Sequence, residues 1–221
     1  MSYIIRILLP DTPGSLGRLA DAIGFIGGDI QSVDVVEAFN NGTVMDDLVV
    51  SLPQSVMADS LITAAHEVEG VEVDSIRPFS GTVDRRGQIH MLAEVAGAST
   101  HSESLAKLVD EIPRVLTSSW AILLKITPAG LERVTASPAA PADDGSSPTN
   151  VAIDKARILH PENETWIPQS WALLDTALSV APLNTDNLVL ILGRVGGPDY
   201  LPSEVEHLGN LGKILGTLLH A

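Results

Sequence analysis

The chain has 221 residues, 45% of them hydrophobic and 19% charged, a composition that builds one large or two small globular domains and excludes a disordered chain. Its formal net charge of -15 repels phosphate backbones and anionic membrane surfaces, so neither a nucleic acid nor a membrane is an expected partner. Cysteine is absent, which removes disulfides, thiol catalysis and thiolate metal sites together.

The opening run is interrupted by Arg6 and ended by Pro10-Asp11, so it is too short for a signal peptide. No apolar stretch approaches the length of a membrane span, and a cytoplasmic location is expected. Residues 3–9, rich in Ile, read as a strand. Asp11 or Thr12 is positioned to cap a following helix, with Pro13 in its first turn. Leu16, Leu19, Ala20, Ile23 and Ile26 recur at helical spacing until Gly27-Gly28 stops the pattern. Residues 30–38 read as a second strand with Val33 and Val35 on one face, Asn40-Asn41-Gly42 as a hairpin, and residues 43–52 as a third strand. Met57, Leu61, Ala64 or Ala65 and Val68 mark a second helix, and residues 71–78 a fourth strand. A β-α-β-β-α-β order with two right-handed crossovers predicts a four-stranded antiparallel sheet with both helices on one face, the ferredoxin-like arrangement.

Residues 81–88 read as a linker. The pattern from there to Val115 is helical, broken near residues 97–100. Residues 121–126 and 131–136 predict a strand pair across Thr127-Pro128-Ala129-Gly130. Residues 137–150 are low in complexity and read as a long mobile loop inside a second domain, 89–221. Residues 177–181 and 188–194 predict a further hairpin. A last helix is expected over 203–219, opened by the Ser203-x-x-Glu206 capping pattern.

Residues 1–80 resemble the ACT family. The matching parts are the first strand, the loop Asp11-Thr12-Pro13-Gly14-Ser15-Leu16, the stop Gly27-Gly28-Asp29-Ile30 and the third strand. The resemblance implies a small regulatory domain that pairs with a second copy and binds an amino acid at the interface, without catalysis. Carried onto this chain, the effector site falls on Asp11, Pro13, Gly14, Ser15, Leu16, Gly28, Asp29 and Ile30. The family often has Asn where this chain has Asp29, and Asp cannot donate an amide hydrogen bond. Residues from about 88 onward resemble a GAF-like domain in arrangement: a helical lead-in, the two strand pairs, the segment Gly193-Arg194-Val195-Gly196-Gly197-Pro198 and the closing helix. The expected fold class is therefore α+β, an ACT-type domain followed by a GAF-like domain with an antiparallel sheet.

The start of the first helix offers free N–H groups for a ligand carboxylate, and Asp11 or Asp29 can meet its ammonium. Asp46 and Asp47 are adjacent in a strand, so they point to opposite faces; a solvated or edge-protecting role is expected of them. The six histidines form no short metal-binding spacing, and His160 reads as a surface residue. The glycine-rich segment after residue 192 lacks a phosphate-loop Lys and reads as a tight turn. Trp166 and Trp171 suit either a pocket wall or a core. No Gly-x-Ser-x-Gly nucleophile elbow occurs. The reading that follows is a non-catalytic regulator with no cofactor, forming a homodimer that binds an amino acid. Its alternatives are a scaffold protein without a small-molecule ligand, and an enzyme on the second domain regulated by the first.

Overall fold

The computed structural model describes residues 1–79, 85–149 and 151–220. The chain divides into two compact units, Met1–Asp84 and Arg85–Ala221. The first half of the expected linker, residues 81–84, lies outside the described residues. The second half is not linker, because a helix already begins at Arg85.

The first unit runs β1 (Ser2–Pro10), α1 (Ser15–Phe25), β2 (Asp29–Ala38), β3 (Thr43–Ser51), α2 (Ala58–His66) and β4 (Glu72–Pro78). Its four strands form one antiparallel sheet in the order β2-β3-β1-β4. Alternate side chains Ile5, Ile7, Leu9, Leu48 and Val50 share a core with Leu19 and Ile23 of α1 and Leu61 and Ala65 of α2, so both helices cover the same sheet face. Val33 and Val35 point to that face too, yet are 40% and 62% exposed. They stand on an edge strand, and being on the right face does not bury them. Leu16, expected in the apolar stripe of α1, is 39% exposed, and Ser15 is buried in its place.

The second unit runs α3 (Arg85–Ala96), α4 (His101–Val115), β5 (Trp120–Thr127), β6 (Gly130–Ala136), β7 (Arg157–Leu159), a 3-10 turn at Gln169–Ala172, β8 (Ala177–Pro182), β9 (Leu188–Arg194) and α5 (Pro202–His220). The sheet is antiparallel with the order β6-β5-β9-β8-β7. The short edge strand β7 has no counterpart in the sequence reading. One face packs Leu123, Leu190 and Leu192 against Leu108, Ile112, Leu211 and Leu215 of the helices. The other packs Trp120, Ile122, Val180 and Ile191 beneath Ile153, Ile167 and Trp171 of the long connections. Burial on both faces explains why residues 188–192 are an unbroken apolar run instead of an alternating one. Among the described residues no helix is long and apolar enough to cross a membrane.

The start of α5 is held differently from the expected Ser203–Glu206 pattern. Leu201 N–H donates to Glu204 Oε2 at 2.9 Å, while Glu204 Oε1 accepts from Arg194 at 2.7 Å.

Candidate functional site

Where β1 leaves the sheet, Asp11 N–H donates to Gly42 O at 2.9 Å and ties the loop to the β2–β3 hairpin. The residue that opens α1 is Gly14, at φ 90°, and no side chain caps the helix. Neither Asp11 nor Thr12 is the cap. Glycine's tolerance of positive φ turns the chain into the helix, and Pro13 stays in the loop ahead of it. Ser15 is buried; its Oγ lies 2.8 Å from Thr12 Oγ1 and accepts from Arg18 Nη2 at 3.1 Å. Asp11, Thr12, Pro13 and Gly14 are exposed, so the electropositive first turn of α1 is open to solvent.

Two buried carboxyls of β3 stand near this end of the sheet. Asp47 forms a bidentate pair with Arg6 at 2.7 and 2.8 Å, both side chains almost fully buried. Asp46 points to the helix-bearing face, in register with Ile7 and Val35. It is 3% exposed, and no donor among the described residues reaches its Oδ1. Burial, followed by the charges of Asp34, Asp47 and Asp11, raises its pKa to about 6. The expectation that this pair is solvated or guards an edge is overturned: β3 is an interior strand.

Gly28, Asp29 and Ile30 lie elsewhere. The 11 residues of α1, about 16 Å of helix, separate them from the Asp11–Leu16 loop. Along β3 the separation is its whole length, about 26 Å, since Asp29 pairs with Ser51 and Pro10 with Thr43. Asp11 and Asp29 of one chain therefore cannot hold the same small ligand. Gly28 has a packing reason of its own, because a Cβ there would sit 2.7 Å from Ile23 Cγ2. Asp29 is exposed and accepts a hydrogen bond from Gln31.

The second unit has a cleft of its own. Residues 137–149 of the expected mobile loop 137–150 are strapped along β6, and residue 150 lies outside the described residues. Leu131 N–H donates to Pro148 O at 2.9 Å, Ser147 Oγ to Leu131 O at 3.0 Å, and Arg133 Nη1 to Pro141 O at 2.7 Å. Backbone groups on an edge strand supply what the low-complexity side chains cannot. Under the strap, Leu124, Leu131, Arg133, Asp143, Asp144, Trp166 and Trp171 line a cavity of about 20 Å³, room for a water or two, that opens to solvent. Trp171 contacts Trp120 and Trp166 edge-on, each at 6.2 Å between ring centroids. The Trp166 indole donates to Glu164, which Arg157 clamps at 2.6 and 2.7 Å. Burial pushes the Glu164 pKa up, but hydrogen bonds from Arg157, the His160 N–H and Trp166 outweigh it and hold the carboxyl at about 2. The tryptophans thus act as pocket wall and core at once. Among the described residues no three acidic or imidazole groups converge to hold a metal ion.

No family model matches the chain. It is 31% identical over 97 residues, 42% of its length, to NAD-dependent malic enzyme 1 of Bacillus subtilis. It is 29% identical over 121 residues, 55% of its length, to NAD-dependent malic enzyme of Geobacillus stearothermophilus. The matched part spans 22% and 23% of those enzymes, less than a quarter of their length. Among solved structures the chain is similar to the GAF domain from Acinetobacter phosphoenolpyruvate-protein phosphotransferase (10% identity, TM-score 0.45, covering 61% of this chain and 91% of that one). It is also similar to free methionine-R-sulfoxide reductase from Neisseria meningitidis in complex with its substrate (13% identity, TM-score 0.48, covering 65% and 95%).

Proposed function

We propose that this chain is a non-catalytic regulatory protein whose first unit is a ferredoxin-like, ACT-type domain binding an amino acid between two copies, and whose second unit is GAF-like. The observation that carries the reading is the division of the candidate ligand residues between the two ends of α1. An isologous dimer reunites them. β2 is an edge strand, with no further strand on its outer side among the described residues, and Val33 and Val35 are exposed on it. Antiparallel pairing of two β2 strands sets the Asp29 end of one beside the Ala38 end of the other. The Ala38 end pairs with Val44, beside the Asp11–Leu16 loop. Each site then takes the α1 N-terminus of one copy for the ligand carboxylate, and Asp11 of that copy together with Asp29 of the partner subunit for its ammonium. A binding site that exists only in the dimer couples ligand to dimer geometry, which is the elementary form of a regulatory switch. The malic enzyme matches lend support, because a shared stretch under a quarter of a long enzyme has the size of an appended module.

Mixing tests the arrangement. Asp11→Ala and Asp29→Ala are each expected to abolish the ligand-induced rise in melting temperature when alone. Exchanged into mixed dimers, they regain one intact site, and part of the rise returns. A strictly monomeric protein in sedimentation, or mixtures as silent as the single variants, defeats the shared-site reading.

A further inference from the structure

A carboxyl group this deep in a protein core normally has donors around it, and one without them asks for a reason. Asp46 is 97% buried, since 3% of it is exposed, and its Oδ1 meets no donor among the described residues. Its neighbours in the sheet are the apolar Ile7 and Val35. The charges it feels are Asp34, Asp47 and Asp11, all negative. The nearby cation Arg6 is committed to Asp47, and Arg18 turns to Ser15. The site is therefore short of one positive charge. It lies on β3 towards the end of the sheet where β1 runs into the exposed loop before α1, and the charge of Asp11 in that loop reaches it. Three close carboxylate or imidazole ligands are missing among the described residues, which argues against a metal ion as the missing cation.

We infer that Asp46 is the buried recognition group for the cationic end of a basic amino acid, one with a lysine- or arginine-like side chain. Distance selects the length. Asp46 lies three residues, about 10 Å, along β3 from Thr43, where the loop is tied down through Gly42. The α-carboxylate stays at the α1 N-terminus, and a long side chain ending in a cation reaches inward to Asp46. A short neutral side chain leaves the carboxyl as it is now, buried and unsatisfied, and the site rejects it by that cost. The assignment rests on the effector reading above, since it places its ligand at the same loop.

Calorimetric titration of the full chain at about pH 8, where Asp46 is ionised, separates the two claims. The probes are L-arginine, L-lysine, L-valine and L-serine, together with agmatine and 1,5-diaminopentane, which keep the cation and lack the carboxylate. Arginine or lysine is expected to bind, and Asp46→Asn to weaken that binding about tenfold or more, while Asp59→Asn, at an exposed position of α2, changes nothing. The variant is isosteric and removes a buried charge, so it folds. If valine or serine binds instead, equally in both proteins, the Asp46 assignment falls and the sensor reading stands. If the two diamines bind as well as the amino acids and Asp46→Asn loses them, the cation site stands and the amino-acid reading falls. Silence from every probe overturns both.

Discussion

Single residues carry two of the chain's largest electrostatic commitments. Asp46 has a folded pKa of about 6, whereas an unfolded Asp titrates near 3.9. The raised value means that protonation favours the folded state. Its contribution is fully present below about pH 4, is lost as the pH rises through about 6, and stays lost above. Asp46→Asn removes that loss and is expected to raise stability at neutral pH by about 3 kcal/mol. Urea unfolding followed by far-ultraviolet circular dichroism between about pH 4 and 7 measures it: the gap between variant and wild type should open across the window. Curves that run parallel would show that Asp46 does not titrate there. Arg194 is the opposite case, a buried charge that is fully used. Its guanidinium donates to Thr117 O, Thr117 Oγ1, Leu116 O, Pro198 O and Glu204 Oε1, and stacks 4.2 Å above the Tyr200 ring. It joins the end of β9 to the α4–β5 turn and the start of α5. Arg194→Met is expected to cost about 3 kcal/mol or more, read as a lower urea midpoint of tryptophan emission.

Elements meet where side chains are smallest. In α5, Gly212 and Gly216 stand one turn apart against the β8–β9 turn. A Cβ at Gly216 would lie 1.5 Å from Leu183 O, and one at Gly212 2.8 Å from Pro182 O. Neither oxygen can yield without moving the backbone. Gly216→Ala is therefore expected to lower stability by about 3 kcal/mol or more although it improves helix propensity, while Ala at exposed Thr217 is close to neutral. Equal melting temperatures for the two variants would mean that α5 does not dock this closely. The glycines also mark how far sequence reading reaches. Apart from β7, the element order was legible because Gly, Pro and Asn punctuate most turns and the apolar spacing changes from two to 3.6 between them. Caps were less so: Asp11 and Thr12 are favoured residue types, but Gly14 opens α1, and the N–H of Leu201 ahead of α5 is met by Glu204 from inside the helix. Asp46 was read as surface because periodicity assigns a polar residue to solvent, and only the paired neighbours of β3 show that it has none. The strap over β6 was invisible for a related reason: its anchors are mostly backbone groups, which every residue carries.

At the scale of the whole molecule, each unit has its own core, and the tryptophans fall on one side of the division. Trp120, Trp166 and Trp171 all belong to the second unit and pack in its sheet-and-strap core. Tryptophan emission therefore reports the second unit alone, while far-ultraviolet circular dichroism reports both. The first unit has 84 residues and the second 137, each long enough to bury a core without the other. Two cores of different size and composition have no reason to share a midpoint, so the two signals are expected to disagree along a urea titration. The stabilisation from Asp46→Asn should then appear in the dichroism transition and leave the tryptophan midpoint in place, while Arg194→Met should lower the tryptophan midpoint together with the second unit's share of the dichroism change. A single coincident transition that both variants move together would show the units to be energetically one. In that case a ligand bound by the first unit would change the stability of the second through the same coupling, and a regulator needs some coupling of that kind. Independence in the free protein with coincidence once arginine or lysine is added would place the coupling in the ligand-bound state. The same pair of probes, repeated at saturating amino acid, therefore distinguishes a permanent connection between the units from one that the effector creates.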